Sequence, residues 1–365
     1  MSLEQRITKA WQLDSPWLKL LLPLSWLFRV ISGWRRRHLQ SRHQGQPFDV
    51  PLVIVGNISV GGSGKTPLIV ALVSALKQRG YKPGVVSRGY GGKALSYPLG
   101  VNAQTPVSQS GDEPLLIAQL AECPVVVDAD RNAAVAYLLS HNDCDLVLSD
   151  DGLQHYRLHR DIEIVVVDGQ RGFGNGRCLP AGPLREGPER LQQVDFVVVN
   201  GGSGKALVSD EGVGDNVSCE QMQIAPRRMT QLSSGVSQPI DQWLKEHHEK
   251  SVHAVAAIGN PQRFANTLAS LGLEAELHSY DDHQALSAAD LRFGDDLAVI
   301  ITAKDAVKLL GSGHSFSHSL SHSLSDNQSH DSIADSIWVL EIEAQIENDF
   351  LDRLAAQLHG LKAKS

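Results

Sequence analysis

Cysteine is sparse and scattered in this 365-residue chain, and none of Cys123, Cys144, Cys178 and Cys219 forms a C-x-x-C pair. That excludes a disulfide framework and a cysteine-based structural zinc site, and it suits a reducing cytosol. A basic excess is also missing. The 33 Lys and Arg against 41 Asp and Glu leave a net charge of -8, so a nucleic-acid binder, which needs a basic face to neutralise phosphates, is not expected. Nor is there an unbroken apolar run long enough to span a bilayer. The best candidate, "WLKLLLPLSWLFRVISGW" from Trp17 to Trp34, has only nine uncharged residues between Lys19 and Arg29, with Pro23 among them. A span wants about 20 apolar residues, and each charge near the membrane centre costs roughly 2.5–3.5 kcal/mol. The order is wrong for a signal peptide as well, because the basic group Arg35, Arg36, Arg37 and His38 follows the apolar run instead of preceding it.

The segment is therefore expected to be retained and to act as an interfacial anchor. Trp17, Trp26 and Trp34 would sit at headgroup depth and the arginines on anionic lipid; a surface helix packed on the core is the alternative. The rest of the chain, 42% hydrophobic and 20% charged, is globular in composition, and its length allows two domains.

After residue 45 a regular alternation begins. "VPLVIV" reads as a buried strand, Thr66 to Arg79 as a helix, and "GVVS", "PVVVD", "DLVLSD", "EIVVVD" and "DFVVVN" as further strands. β-Branched runs without polar alternation suit a parallel sheet covered on both faces. The expected fold is α/β: a P-loop NTPase-like, doubly wound, mainly parallel sheet over residues 46–230, an N-terminal membrane-associated segment over 1–45, and a second, smaller α/β domain over 231–365. Gly201 to Gln238 reads as a linker holding at most one short strand. Helices are expected at Arg263 to Leu271, from Ser287, and from Asn348. Within the second domain, a His/Ser-rich stretch at about 311–333 repeats an S-H-S-L unit. Its His314, His318 and His322 could line one helix face for a metal, but its composition favours a disordered surface insertion.

The strongest motif is "SVGGSGKTPL". A strand ends at Val55, a glycine-rich loop follows, and a helix begins at Thr66, the strand–loop–helix setting of a phosphate-binding loop. Ser59, Val60, Gly61, Gly62, Ser63, Gly64, Lys65 and Thr66 are assigned to nucleotide phosphates. The glycines turn backbone N–H groups inward, Lys65 reaches the β and γ oxygens, and the Thr66 hydroxyl is placed to ligate Mg²⁺. Ser59 stands where the usual pattern has its first glycine. A second "GGSGK" after Asn200 is followed by Ala206, which cannot ligate a metal, and reads as a turn. "TAKD" at Thr302 lacks the Asn-Lys-x-Asp order of guanine readers, so ATP is preferred to GTP. Dimeric partitioning-type ATPases would carry a lysine where Val60 stands.

"DLVLSDDGLQH" supplies the metal-side carboxylates, Asp150 and Asp151, at the carboxyl end of a strand, where ligands of such sheets bind. The same rule brings Arg88 and Tyr90 of "SRGYGG", and Arg131 after "VVVDAD", toward phosphates or acceptor. Arg185 of "GPLRE" has the fork geometry to hold an acceptor phosphate. "SGDEP" alone reads as an exposed turn and "YDDHQ" as a helix start.

Taken together and in order, "VGNISVGGSGKTP", "SRGYGG", "GDEPLLIA", "DADRNAA", "SDDGLQHYRLHRDIEIVVVD", "LPAGPLRE", "AIGNPQRF", "DDH" and "TAKDAVKL" closely resemble the tetraacyldisaccharide 4'-kinase family of lipid A biosynthesis. The resemblance implies transfer of the ATP γ-phosphoryl group to the 4'-hydroxyl of a tetraacylated glucosamine disaccharide 1-phosphate at the cytoplasmic face of the bacterial inner membrane. It implies Mg²⁺, no nucleic acid and no obligate protein partner. It also implies Asp112 of "GDE" as the base, paired with His283 of "DH" and dependent on domain closure, and it lines the site with Glu113, Gln154 and His155. A second histidine often follows the first in the family; Gln284 here leaves His283 alone. Residues alone leave two other readings open: a P-loop ATPase switch or assembly factor, and a membrane-tethered nucleotide-binding scaffold.

Overall fold

A computed structural model describes residues 3–42, 48–202, 218–247, 250–282, 284–310 and 335–362. His283, the His/Ser-rich insertion and most of the second "GGSGK" lie outside them. Thirteen strands are described: β1 Leu52–Gly56, β2 Pro83–Ser87, β3 Leu99–Val101, β4 Val125–Val127, β5 Leu146–Asp150, β6 Ile162–Asp168, β7 Phe196–Asn200, β8 Ser218–Gln231, β9 Ser237–Pro239, β10 Ser251–Ala256, β11 Glu274–Ser279, β12 Val299–Thr302 and β13 Ile337–Ile346. The chain divides into two units. The first comprises Met1–Arg88, Asp128–Ile224 and Ala344–Ser365, and the second Gly89–Val127 and Ala225–Glu343.

In the first unit β7, β6, β1, β5 and β2 pair side by side, all parallel, and the start of β8 adds to β7 in the same sense. Every residue of β1, β2, β5, β6 and β7 is buried. That is why these strands read as continuous Val, Ile and Leu runs: with both faces covered, neither can be polar. The helix Lys65–Gln78 buries Leu68, Ile69, Leu72, Val73 and Leu76. The C-terminal helix Asn348–Lys362 buries Phe350, Leu351, Leu354 and Leu358, and Phe350 meets Phe196 edge to face at 5.1 Å. Arg79 pairs with Asp352 at 2.6 Å and Lys362 with Asp145 at 2.7 Å along the same helix.

The N-terminal segment forms the helix Leu3–Gln12, a 3-10 turn Pro16–Leu21 and the helix Leu22–Arg42. Among the described residues, no helix is long and apolar enough to cross a membrane. The segment is held to the first unit by polar contacts, Trp11 Nε1 to the Pro180 carbonyl (3.0 Å), Ser25 Oγ to the Cys178 carbonyl (2.6 Å), Arg29 to Glu189 (3.0 Å) and Arg36 to Glu186 (3.4 Å), and by Phe28, which packs on the core around Phe173 and Leu184. Leu18 is buried, whereas Trp17, Leu20, Leu24, Trp26, Leu27, Val30, Ile31 and Trp34 are all exposed.

In the second unit β11, β10, β12 and β13 run parallel. β9 lies antiparallel to the Arg228–Thr230 end of β8, and β3 lies antiparallel to β4. Met229, Trp243, Val252, Ala254, Phe264, Leu268, Ile300, Trp338 and Leu340 form its core.

Several expectations are corrected. The stretch from Gly201 to Gln238 contains a 14-residue strand, β8, not a short one; its polar residues are tolerated because much of it is only half-buried. Ser287 opens one 3-10 turn, Ala288–Leu291, in place of a helix; a capping box with Asp290 forms it, and positive φ (78°) at Gly294 follows. "SGDEP" is no exposed turn, since Asp112 is buried and begins the helix Asp112–Ala121. Among the described residues of "YDDHQ" none is helical; Gln284 N–H donates to the Asp281 carbonyl at 3.0 Å and Gln284 Oε1 accepts from the Asp281 N–H at 3.3 Å.

Phe350→Ala is expected to cost about 3–5 kcal/mol, the usual range for emptying a fully buried aromatic site. Urea denaturation followed by intrinsic fluorescence measures it, and a loss below about 1 kcal/mol would mean that the C-terminal helix is not part of this core.

Candidate active site

The phosphate loop leaves β1 and is held shape by shape from its surroundings. Asn57 donates from Nδ2 to the Gly61 carbonyl (3.3 Å), Val60 N–H to the Pro183 carbonyl (2.9 Å) and Asn200 Nδ2 to the Ser63 carbonyl (3.0 Å). Gly61 and Gly64 have φ of 95° and 96°. At Gly64 a β-carbon would also come within 2.4 Å of Asn200 Nδ2, so both backbone angle and space demand glycine there. Ser59 differs: it is not among the positive-φ residues and its backbone bridges to Leu184, a conformation that tolerates a side chain. That accounts for the missing first glycine.

The helix Lys65–Gln78 begins at Gly64 with no side-chain cap, which leaves its first N–H groups for an anion. Thr66 lies in its first turn. The Ser63 hydroxyl is buried and has no hydrogen-bond partner among the described residues, a position suited to a phosphate oxygen. Gly62 is exposed.

Lys65 Nζ lies 3.3 Å from Asp151, and Arg185 lies 3.3 Å from the same carboxylate. Burial alone would raise the Asp151 pKa, but Lys65 and Arg185 outweigh it and hold the carboxyl below its usual range. Asp151 itself has φ 47°, a left-handed angle at a non-glycine residue. The neighbouring Asp150 ends β5, is buried, and accepts from Ser87 Oγ at 3.1 Å. Gln154 links Arg185 (3.4 Å) to Glu186 (2.9 Å) and donates to the Asn57 carbonyl (3.0 Å). Lys65, Asp151, Arg185 and Gln154 are thus brought together in the first unit.

Arg131 is also there but buried. Its guanidinium donates to the carbonyls of Asp128 (2.6 Å) and Asp150 (3.3 Å), bracing the end of β5, and desolvation pulls its pKa down to about 10. His155 is half-buried; burial, then the Arg131 charge, lowers it to about 4, so it is neutral at pH 7. Arg88 is exposed at the end of β2.

In the second unit Tyr90 is exposed, while the loop carrying it packs on the Asp112 turn: a β-carbon at Gly111 would fall 2.4 Å from the Tyr90 carbonyl. Asp112 accepts from the Glu113 N–H at 2.9 Å. Lys304 joins this cluster, 3.6 Å from Asp112, 3.3 Å from Glu113 and 3.5 Å from Asp282. Burial would lower the Lys304 pKa, yet Glu113, Asp112 and Asp282 together raise it, so it stays charged. Sequence reasoning missed Lys304, treating "TAKD" as a failed guanine motif and as part of the family resemblance without assigning the lysine a role. A lysine just after a strand end was the available signal, but the acids that neutralise it are remote in the chain. Glu186 was missed in the same way.

Asp151 contributes stability above the unfolded-chain carboxyl value of about 3.9, and that contribution is lost as pH falls through its lower folded value. Wild-type protein should therefore lose an increment of Tm on acidification that Asp151→Asn does not. Parallel Tm-versus-pH curves for the two would show that the ion pairs are ineffective.

The sequence matches the family "LpxK: Tetraacyldisaccharide-1-P 4'-kinase" over residues 17–359. It is 46% identical over 309 residues to the tetraacyldisaccharide 4'-kinase of Stutzerimonas stutzeri, covering 84% of this chain and 89% of that one. It is 41% identical over 364 residues to that of Hahella chejuensis, covering 98% and 97%. Among solved structures, the crystal structure of an "apo" form of LpxK from Aquifex aeolicus in complex with ATP aligns with a TM-score of 0.70 and 26% identity over 93% of this chain and 99% of that one. The P-loop geometry and these matches agree, and the chain belongs to the tetraacyldisaccharide 4'-kinase family of lipid A biosynthesis.

Proposed function

We propose that this kinase takes its phosphoryl group from ATP, with Mg²⁺, and works while docked on an anionic membrane surface. The single observation that carries the reading is the glycine loop whose Lys65 is paired with Asp151 at a strand end. Support for ATP comes from the Aquifex relative, whose structure is of a complex with ATP.

The donor set of Thr66, Asp150 and Asp151 is hard-oxygen chemistry and suits Mg²⁺. Asp151 already has two cationic partners, so Thr66 and Asp150 are the residues assigned to direct ligation. Bound there, Mg²⁺ would neutralise charge on the phosphate oxygens. Lys65 holds the β and γ oxygens, and the uncapped helix N-terminus and loop N–H groups stabilise the charge that spreads over the γ-phosphoryl group. Asp112 accepts the proton of the acceptor 4'-hydroxyl, with His283 as its partner, and Lys304 pairs with Asp112 and Glu113. Arg88, Tyr90, Arg131, Gln154, His155 and Arg185 are assigned to orienting the substrates, Arg131 from its buried position.

The exposed apolar row from Trp17 to Trp34 supports docking on the cytoplasmic face of the inner membrane, where the acyl chains of the acceptor reside. Arg35 and Arg37, both exposed, would face anionic headgroups.

Detergent-solubilised protein with Mg²⁺, γ-labelled ATP and a tetraacyl disaccharide 1-phosphate should place label on the 4' position. Lys65→Ala is expected to lose nucleotide affinity and turnover together, and Asp112→Ala to keep nucleotide affinity and lose transfer. Label recovered only as free phosphate would replace this reading with an ATPase switch, and full transfer by Asp112→Ala would remove that residue as base.

On vesicles containing anionic lipid, Arg35→Gln with Arg37→Gln should weaken binding by about 2 kcal/mol, roughly 30-fold. Trp26→Ser with Ile31→Ser should weaken it on neutral and anionic vesicles alike. Sedimentation with vesicles reads both, and unchanged partitioning of all four substitutions together would exclude this face as the anchor.

A further inference from the structure

We propose that the second unit carries a divalent transition-metal site of the zinc class, built by His253, Glu276 and His278 on β10 and β11. The kinase chemistry uses none of these three residues. His253 and Glu276 are direct neighbours in the parallel register of the two strands. His278 stands two residues beyond Glu276, and with a side-chain period of two it shares that face. One ligand atom from each residue falls in a single cluster within 4.8 Å.

The distances match what a small cation requires. Bonds of about 2.0–2.2 Å to imidazole nitrogen and carboxylate oxygen put tetrahedral ligand atoms roughly 3.3–3.5 Å apart. Here His253 Nδ1 and His278 Nε2 are 3.0 Å apart, and the Glu276 oxygens lie 3.8 Å from His253 Nδ1 and 4.0 Å from His278 Nε2. These values bracket the requirement. Glu276 has 71% of its side chain exposed, so it is free to swing the remaining few tenths of an ångström.

The tautomer is also set. His253 is buried and its Nε2 lies 3.1 and 3.2 Å from the two Asp295 oxygens. An ionised carboxylate only accepts, so Nε2 carries the proton and donates, and Nδ1 presents its lone pair toward His278 and Glu276. A carboxylate behind a histidine in this manner is the usual support of a metal-bound imidazole. Phe293 stacks on both rings, with centroids 3.9 Å from His253 and 4.3 Å from His278, and limits their rotation. Two imidazoles with one carboxylate favour Zn²⁺, Co²⁺ or Ni²⁺ over Mg²⁺ and Ca²⁺, which prefer all-oxygen sets. The fourth position is left to water. Such an ion would tie β11 to β10 through side chains in addition to the backbone ladder.

The test uses the untagged full-length chain, stripped with chelator and titrated with Co²⁺, reading visible d–d absorption, and with Zn²⁺ by calorimetry. His278→Ala should weaken binding at least 100-fold, on the order expected for losing a ligand and beyond the roughly 10–100-fold of a supporting residue. Asp295→Asn, which keeps all three ligands, should weaken it by about 10–100-fold. Because the 311–333 stretch is rich in histidine, a variant with His314→Ser, His318→Ser, His322→Ser and His330→Ser is titrated alongside and should keep the tight site. Metal-free melting curves of each variant check that the fold is retained; should His278→Ala misfold, Glu276→Gln replaces it. The proposal is overturned if the wild-type chain binds no metal, if His278→Ala or Glu276→Gln binds within threefold of wild type, or if the tight binding disappears with the four serine substitutions instead.

Discussion

Lys65 and Arg185 meet on one carboxylate, that of Asp151, and the first unit is organised around this meeting. The lysine begins the helix after the glycine loop, the aspartate follows β5, and the arginine comes from the loop that follows the cis Leu179–Pro180 bond. Asp151 is held in a left-handed conformation, which a non-glycine residue adopts only when its surroundings hold it there. From Arg185 the polar contacts continue through Gln154 and Glu186 to Arg36 on the N-terminal helix. Each member is half-buried or buried, so each charge is satisfied by its neighbour and none is an isolated cost. Lys65 and the helix Leu22–Arg42 are thereby parts of one bonded set.

That helix shows how one segment serves two solvents. The N-terminal segment meets the protein through Trp11, Ser25, Arg29 and Arg36 and through the apolar Leu18 and Phe28, while Trp17, Leu20, Leu24, Trp26, Leu27, Val30, Ile31 and Trp34 are exposed. A soluble surface helix would have the reverse arrangement, with its apolar stripe on the core. The proposed membrane docking makes use of this exposed apolar set.

The second unit assembles charge differently. Lys304 is surrounded by three carboxylates contributed by two separate stretches, and its net positive charge is kept by them against desolvation. Asp112 and Glu113 thus share one buried cationic partner. Strands β10 and β11 carry the paired histidines and Glu276, a feature with its own local support in Asp295 and Phe293.

By itself the sequence determined the parallel β/α core, because doubly covered strands must be continuous runs such as "LVIVG" and "IEIVVVD", and it marked the P-loop-like strand–loop–helix, because the glycines, Lys65 and Thr66 occupy adjacent positions. The charge-broken run from Trp17 to Trp34 was legible for the same local reason. Tertiary structure alone decided that Arg131 braces main-chain carbonyls from a buried position, that Ser59 sits in a bridge where no glycine is required, that β8 is a full strand, and that Gly89–Val127 packs with the second unit. It also decided the company of Lys304, whose partner Glu113 lies 191 positions away. Local pattern encodes which backbone conformation a stretch prefers; which buried charges neutralise one another depends on long-range packing, and no spacing in the sequence carries it.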